Sequence, residues 1–198
     1  MKTILIILFA INLSLMSAQE NEKGNLPYHK IPDIPESYTA GTVVSRMIDG
    51  LGFRYYWATE GLTDENLLYK PSESNRTISE TVDHLYQLSL TIYNSAVKEV
   101  NDRTQPRDTN LTFKQKRIKT LQNLRKASTI FSTAKDLAEH QIVFKSQRGT
   151  AEFPFWNQIN GPIEDAIWHS GQIVALRRAA GNPIDPGVNV FLGIRREN

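Results

Sequence analysis

The apolar positions of this chain fall into four stretches with helical spacing. Between residues 38 and 59, Val44, Met47, Ile48, Leu51 and Tyr55 recur three or four residues apart and mark one face of a first helix. Gly61 follows, a residue that closes a helix by taking the left-handed conformation. Ile78, Val82, Leu85, Ser89 and Ile92 make a second stripe, in a helix expected from Thr77 to about Val100, before Asn101-Asp102 and Pro106. Thr77 or Asn75 can cap its first amides, and Glu80 stands three residues after Thr77, as a reciprocal capping box requires. A third helix fits residues 113–139, rich in Lys, Arg, Gln, Leu and Ala, with Ile118, Leu121, Leu124, Ser128 and Phe131 on its inner side. A fourth runs from about Phe155 to Ala180, where Gly181 and Pro183 stop it.

The segments between are short on structure of their own. Residues 19–37 are polar and punctuated by proline, which biases each preceding residue away from helix, so they read as an extended leader. Leu62–Arg76 is a connector in which Thr63-Asp64-Glu65 opens a short turn. Residues 141–155 change to β-branched and aromatic types and predict an extended or hairpin excursion about Arg148-Gly149. The tail, 188–194, is expected to pack as one extended segment. Four long amphipathic helices with so little strand predict an all-α fold, a four-helix bundle with a C-terminal tail over residues 38–198.

Residues 1–18 are a separate object. Lys2 precedes the apolar run Ile4–Ile11, and the small residues Ser17 and Ala18 follow, the layout of a secretory signal peptide cleaved near Ala18–Gln19. The run is broken by Asn12 and Ser14 and falls short of the roughly 20 residues that span a bilayer, so no stable membrane anchor is expected after cleavage. The expectation is a secreted or periplasmic protein.

Composition narrows the chemistry. The chain has 23 basic and 21 acidic residues, and cleavage would remove only Lys2, so no electrostatic footprint for nucleic acid is present. There is no cysteine, which excludes disulfides, thiolate nucleophiles and cysteine metal sites. Any metal must be held by His, Asp or Glu.

The fourth helix carries the most informative spacing, Asp165-Ala-Ile-Trp-His169. Positions four apart stack on one helix face, with β-carbons roughly 5–6 Å apart, so a carboxylate and an imidazole can reach one cation. The third ligand must come from another helix, and His84 beside the Val82/Leu85 stripe is the candidate. Two histidines and one carboxylate leave coordination positions open. By spacing alone, an exposed carboxylate with a hydrogen-bonded histidine, plus a separate core histidine at 84, explains the same residues.

Two segments resemble a known family. Trp168-His-Ser-Gly-Gln-Ile-Val-Ala-Leu-Arg-Arg-Ala-Ala-Gly181 is similar to the signature near the end of the DinB-like/YfiT-like bundles, which typically read His-His-Arg-Gly-Gln-Ile there. Thr77-Ile-Ser-Glu-Thr-Val-Asp-His-Leu85 resembles that family's second-helix pattern Ser-Ile-x-Glu-x-x-x-His-Leu. The resemblance would cover roughly residues 38–180. It implies a divalent metal, zinc, nickel, manganese or iron, held by His84, His169 and, where the family usually has His, Asp165. Trp168 and Ser170 also depart from the family's His and Arg. The activity implied is that of a metal-dependent hydrolase or thiol transferase acting on a small molecule. A non-catalytic metal or ligand-binding protein and a structural subunit with a decayed site are the alternatives, and homodimer formation through helix faces is compatible with each.

Other polar residues carry less. Trp156, Asn157 and Asn160 could stand at a pocket mouth but are expected in aromatic core packing. His140 is expected to end the third helix, His29 to be exposed in the leader, and Arg177-Arg178 to meet solvent or the last helical carbonyls. Asn75-Arg-Thr and Asn110-Leu-Thr match a glycosylation pattern.

Overall fold

A computed structural model describes residues 26–106 and 110–197; the expected signal segment lies outside them. The protein is mostly helical, with a few short strands. Its long helices are α1 (Ala40–Thr59), α3 (Ile78–Ala96), α4 (Phe113–Ser132) and α6 (Glu164–Ala179); α2 (Asp64–Leu68) is one short helix in the first connector, and α5 (Trp156–Gln158) leads into the last helix. Strands β1 (Asn101–Asp102), β2 (Ile142–Ser146) and β3 (Gly149–Phe153) form one sheet, with β1 parallel and β3 antiparallel to β2. Strands β4 (Val188–Asn189) and β5 (Ile194–Arg195) form a second.

The helices α1, α4, α3 and α6 pack in that cyclic order, so α1 and α3, consecutive along the chain, sit diagonally. The long connections at 60–77 and 97–112 make such a crossing feasible. The expected stripes are the core: Val44, Ile48, Leu51 and Tyr55 of α1, Ile78, Val82, Leu85 and Ile92 of α3, Leu121, Leu124 and Phe131 of α4 are all buried. The capping box forms as its spacing predicts, with the Thr77 amide donating to Glu80 Oε2 at 2.7 Å and the Glu80 amide donating to Thr77 Oγ1 at 3.1 Å.

Several expected boundaries move. Helix α3 stops at Ala96, not Val100, because Lys98 turns left-handed (φ 60°) and the chain enters β1. Helix α4 ends at Ser132, well before 139. There Gly41 lets α1 approach so closely that a Cβ at that position would lie 2.3 Å from the Phe131 carbonyl oxygen. His140 therefore ends no long helix. It is buried after a short 3-10 turn (Leu137–Glu139), its Nδ1–H donating to the Ser95 carbonyl at 3.3 Å while its own carbonyl accepts from Ser95 Oγ at 2.8 Å. The tail reverses at 190–193 into the β4–β5 hairpin and is not one extended segment.

The fourth helix is not continuous either. Ile159–Ile163 winds as a π-turn around Pro162, whose missing N–H removes one ladder bond. Upstream residues are thereby rotated relative to the α6 stripe of Ala166, Ser170, Ile173 and Arg177. Trp156, Asn157 and Asn160 consequently face solvent and do not pack in the core; Trp156 is 74% exposed.

Two long-range anchors have no counterpart among the apolar stripes. Tyr28, in the expected leader, is buried against α1, and its hydroxyl donates to Asp49 Oδ1 at 2.9 Å. Gly52 makes room for it, since a Cβ there would fall 2.4 Å from the ring. His29 beside it is exposed, its ring edge-on to Tyr56. Burial, aided by the Asp49 charge, pushes the Tyr28 phenol well above its ordinary value. Its folded pKa being raised, Tyr28 contributes full stability below about pH 10, the unfolded value, and loses it as pH rises further. Tyr28→Phe should cost about 1.5–3 kcal/mol in urea unfolding, because the buried Asp49 carboxylate loses a short bond and, among the described residues, keeps only Arg125 at 3.9 Å.

The second anchor is Arg177, buried and not solvated. Its guanidinium donates to the carbonyls of Trp57, Ala58 and Glu60 at 3.1, 3.0 and 2.9 Å, closing the C-terminal end of α1. Nε donates to the Asn182 carbonyl at 2.7 Å and Nη2 to its Oδ1 at 2.9 Å. The carbonyls it caps belong to another helix, not its own.

Candidate metal centre

Helices α3 and α6 are neighbours, and their facing surfaces bring the three candidate ligands together. His84 lies two turns into α3, where the Thr77 cap fixes the helix phase. Asp165 and His169 sit one turn apart at the start of α6, just after the π-turn. His84, Asp165 and His169 each offer one ligand atom, and those atoms lie within 4.8 Å of one another.

The carboxylate stands between the two rings. His84 Nε2 is 3.0 Å from Asp165 Oδ2, and His169 Nε2 is 3.2 Å from Asp165 Oδ1. The imidazoles meet edge to face with centroids 4.6 Å apart. Ligands about 2.1 Å from a tetrahedral ion are themselves about 3.4 Å apart, so both separations are close to coordination distances. His84, Asp165 and His169 are 33%, 39% and 15% exposed at the side chain, which leaves the group reachable from solvent.

The hydrogen bonding of His169 tests whether these residues fit a cation. Its Nδ1 is 2.6 Å from Gln172 Oε1, an acceptor that suits the tautomer protonated at Nδ1. A neutral ring then presents a lone pair at Nε2, the atom turned toward Asp165 and His84. With a cation there, that tautomer serves both sides, and Gln172 takes the outer hydrogen-bonding role that commonly orients metal-bound histidine. The donor set therefore fits a divalent ion. Two imidazoles and a carboxylate suit zinc, nickel, manganese or iron. Gln172→Ala is expected to weaken metal binding by about 10–100-fold in a chelator competition, with the fold intact by circular dichroism.

The centre opens onto two adjoining hollows of about 640 Å³ each, both bordered by Arg76, His84 and Asp165. The first continues past Leu88, Gly161 and Pro162 to Phe144 of β2, so the small sheet forms one of its walls. The second runs along α6 past His169, Gln172 and Leu176. Glu80 and Asp83 line the first hollow but are engaged, Glu80 in the α3 cap and Asp83 with Lys116 at 2.6 Å. Hydrogen bonds from Thr77 hold the Glu80 carboxyl below its ordinary value.

Trp156 lines a different hollow, bounded by Tyr38, Val43, Leu137 and Ile159, and so is no part of the metal centre's mouth. Sequence spacing does not single out Arg76, and it puts Gln172 on the ligand face without giving it a role. Gln172 sits three residues after His169, on the face already holding Asp165 and His169, and that was the signal for it. Among the described residues, no helix is long and apolar enough to cross a membrane. No family model matches the chain, and no curated protein or solved structure matches it significantly.

Proposed function

We propose that the protein is an exported, DinB-like four-helix bundle that binds one divalent metal through His84, Asp165 and His169 and uses it in hydrolysis or thiol transfer on a small molecule. The observation that carries this reading is the convergence of the three ligand atoms beside open hollows, with Gln172 Oε1 on the outer nitrogen of His169. The ring of four helices, with two ligands on the last and one on the second long helix, supports the family assignment. Export rests on Lys2 and the apolar run Ile4–Ile11.

A bound ion of this kind supplies Lewis acidity and activates a water or thiol near neutral pH. The chain's own residues provide the rest. His84 and His169 would offer ring nitrogens, Asp165 would offset one positive charge, and the open hollows would admit a substrate to the remaining positions.

One observation favours a second reading, a non-catalytic metal or small-ligand binding protein. Both non-ligand carboxylates of the first hollow are held by other groups, which leaves no free carboxylate base in that hollow among the described residues. Assay of the zinc-loaded protein on a panel of esters, amides and thiol conjugates separates the two. The enzyme reading expects turnover that disappears with the metal in His169→Ala. Turnover that survives in a metal-free variant would contradict the metal mechanism, and stoichiometric metal with no turnover on the whole panel would favour the binding protein. A homodimer is also proposed, to be checked by sedimentation.

A further inference from the structure

We propose that the first hollow binds a small organic anion, a carboxylate or phosphate monoester with an apolar body, whose charged end is taken by Arg76 and Arg103. The inference rests on the metal-centre reading only for where the other end of the ligand lies.

The charged groups of this hollow divide into two sets. Every acidic one is engaged: Asp83 with Lys116, Glu80 with the Thr77 amide and hydroxyl, and Asp165 with the two histidines. Lys116 is neutralised by the first of these contacts. The guanidinium groups of Arg76 and Arg103 have no hydrogen bond or ion pair among the described residues, yet both line the hollow. Among the described residues, the uncommitted hydrogen-bond donors of the hollow are therefore these two guanidinium groups.

Arg103 is also pre-placed. Its backbone amide donates to the Lys145 carbonyl at 2.8 Å, which extends the β1–β2 pairing by one residue. Its guanidinium lies 4.1 Å from the centroid of the Phe144 ring. Stacking on an aromatic face leaves the N–H edges of a guanidinium open, and that fork matches a carboxylate or phosphate in two parallel bonds. Arg76 borders both hollows, as His84 and Asp165 do, so a ligand held there shares its hollow with the centre. Leu88, Phe144 and Pro162 supply the apolar wall against which the body of such a ligand would rest.

Calorimetric titration with benzoate, phenyl phosphate and neutral benzamide, on zinc-loaded and zinc-free protein, tests this. Either or both anions should bind, benzamide should not, and the pair decides between carboxylate and phosphate. The double variant Arg76→Gln/Arg103→Gln should retain its zinc content and lose at least about tenfold in anion affinity, as removal of charge-assisted hydrogen bonds requires. Unchanged affinity in that variant, equal binding of benzamide, or no binding of either anion overturns the proposal. Arginine-dependent anion binding to a protein that takes up no zinc would uphold it while contradicting the metal-centre reading.

Discussion

Arg177→Ala is expected to destabilise the protein by about 3–4 kcal/mol, the largest effect of any single substitution outside the apolar core. The guanidinium closes the carbonyls of Trp57, Ala58 and Glu60 at the end of α1 and the carbonyl of Asn182 beyond α6. Water cannot easily replace it, because Arg177 is 3% exposed. Each buried carbonyl left without a donor costs about 1–3 kcal/mol. Burial pulls the guanidinium below its ordinary pKa while the Glu60 charge opposes the shift, and an arginine still stays charged at neutral pH. Arg177→Lys should recover only part of the loss, since an ammonium has three donors and no fork. For a chain of this size the alanine variant should melt roughly 10 °C lower in calorimetry. A loss below about 1 kcal/mol would mean that the α1 carbonyls do not depend on this side chain.

The second large effect concerns Asp165. Asp165→Ala removes the group that lies between His84 and His169, leaving two nitrogens on different helices, and zinc affinity should fall by about 100-fold or more. Asp165→His is the informative partner, because it restores the ligand type the resembled family uses there. It should still bind zinc, as three imidazoles form a sound zinc site. If alanine and histidine at 165 lose zinc equally, the site tolerates only an anionic ligand. If alanine loses nothing, Asp165 is not a ligand at all. Competition with a chromophoric chelator reads all three cases.

What could be read from the sequence was local. The Thr77–Glu80 box depends on two residues three apart, and the Asp165–His169 pair on two residues four apart, so helical geometry alone places them. The α1 and α3 stripes were visible for the same reason. The hairpin turn at Arg148-Gly149 was signalled by glycine, which takes φ 118° in β3. The features that escaped join residues far apart in sequence. Tyr28 meets Asp49 through a space that exists only because Gly52 has no side chain, and Arg177 caps a helix some 120 positions earlier. Nothing in the apolar periodicity of either partner announces such a contact. The end of α4 was misplaced because its helix formers continue past Ser132 while the close approach of Gly41 stops the packing. The π-turn was visible as Pro162, but a proline more often ends a helix than widens one.

The candidate site divides along the same line. His169 and Asp165 could be paired by spacing, whereas His84 needed the packing of α3 against α6 to become their neighbour. Gln172 acquired a role only when its oxygen was found on His169 Nδ1. Arg76 and Arg103 belong to one hollow only because β1 and the start of α3 close on it from different parts of the chain.

The central claim is that His84, Asp165 and His169 hold one metal ion. Elemental analysis of protein purified without added metal, after its zinc, nickel, manganese and iron are counted against protein concentration, tests it most directly. The account predicts close to one equivalent of one of these metals in the wild type and almost none in His84→Ala/His169→Ala, with both proteins folded by circular dichroism. A wild type without metal that also takes up none on incubation, or equal metal in the two proteins, would contradict it.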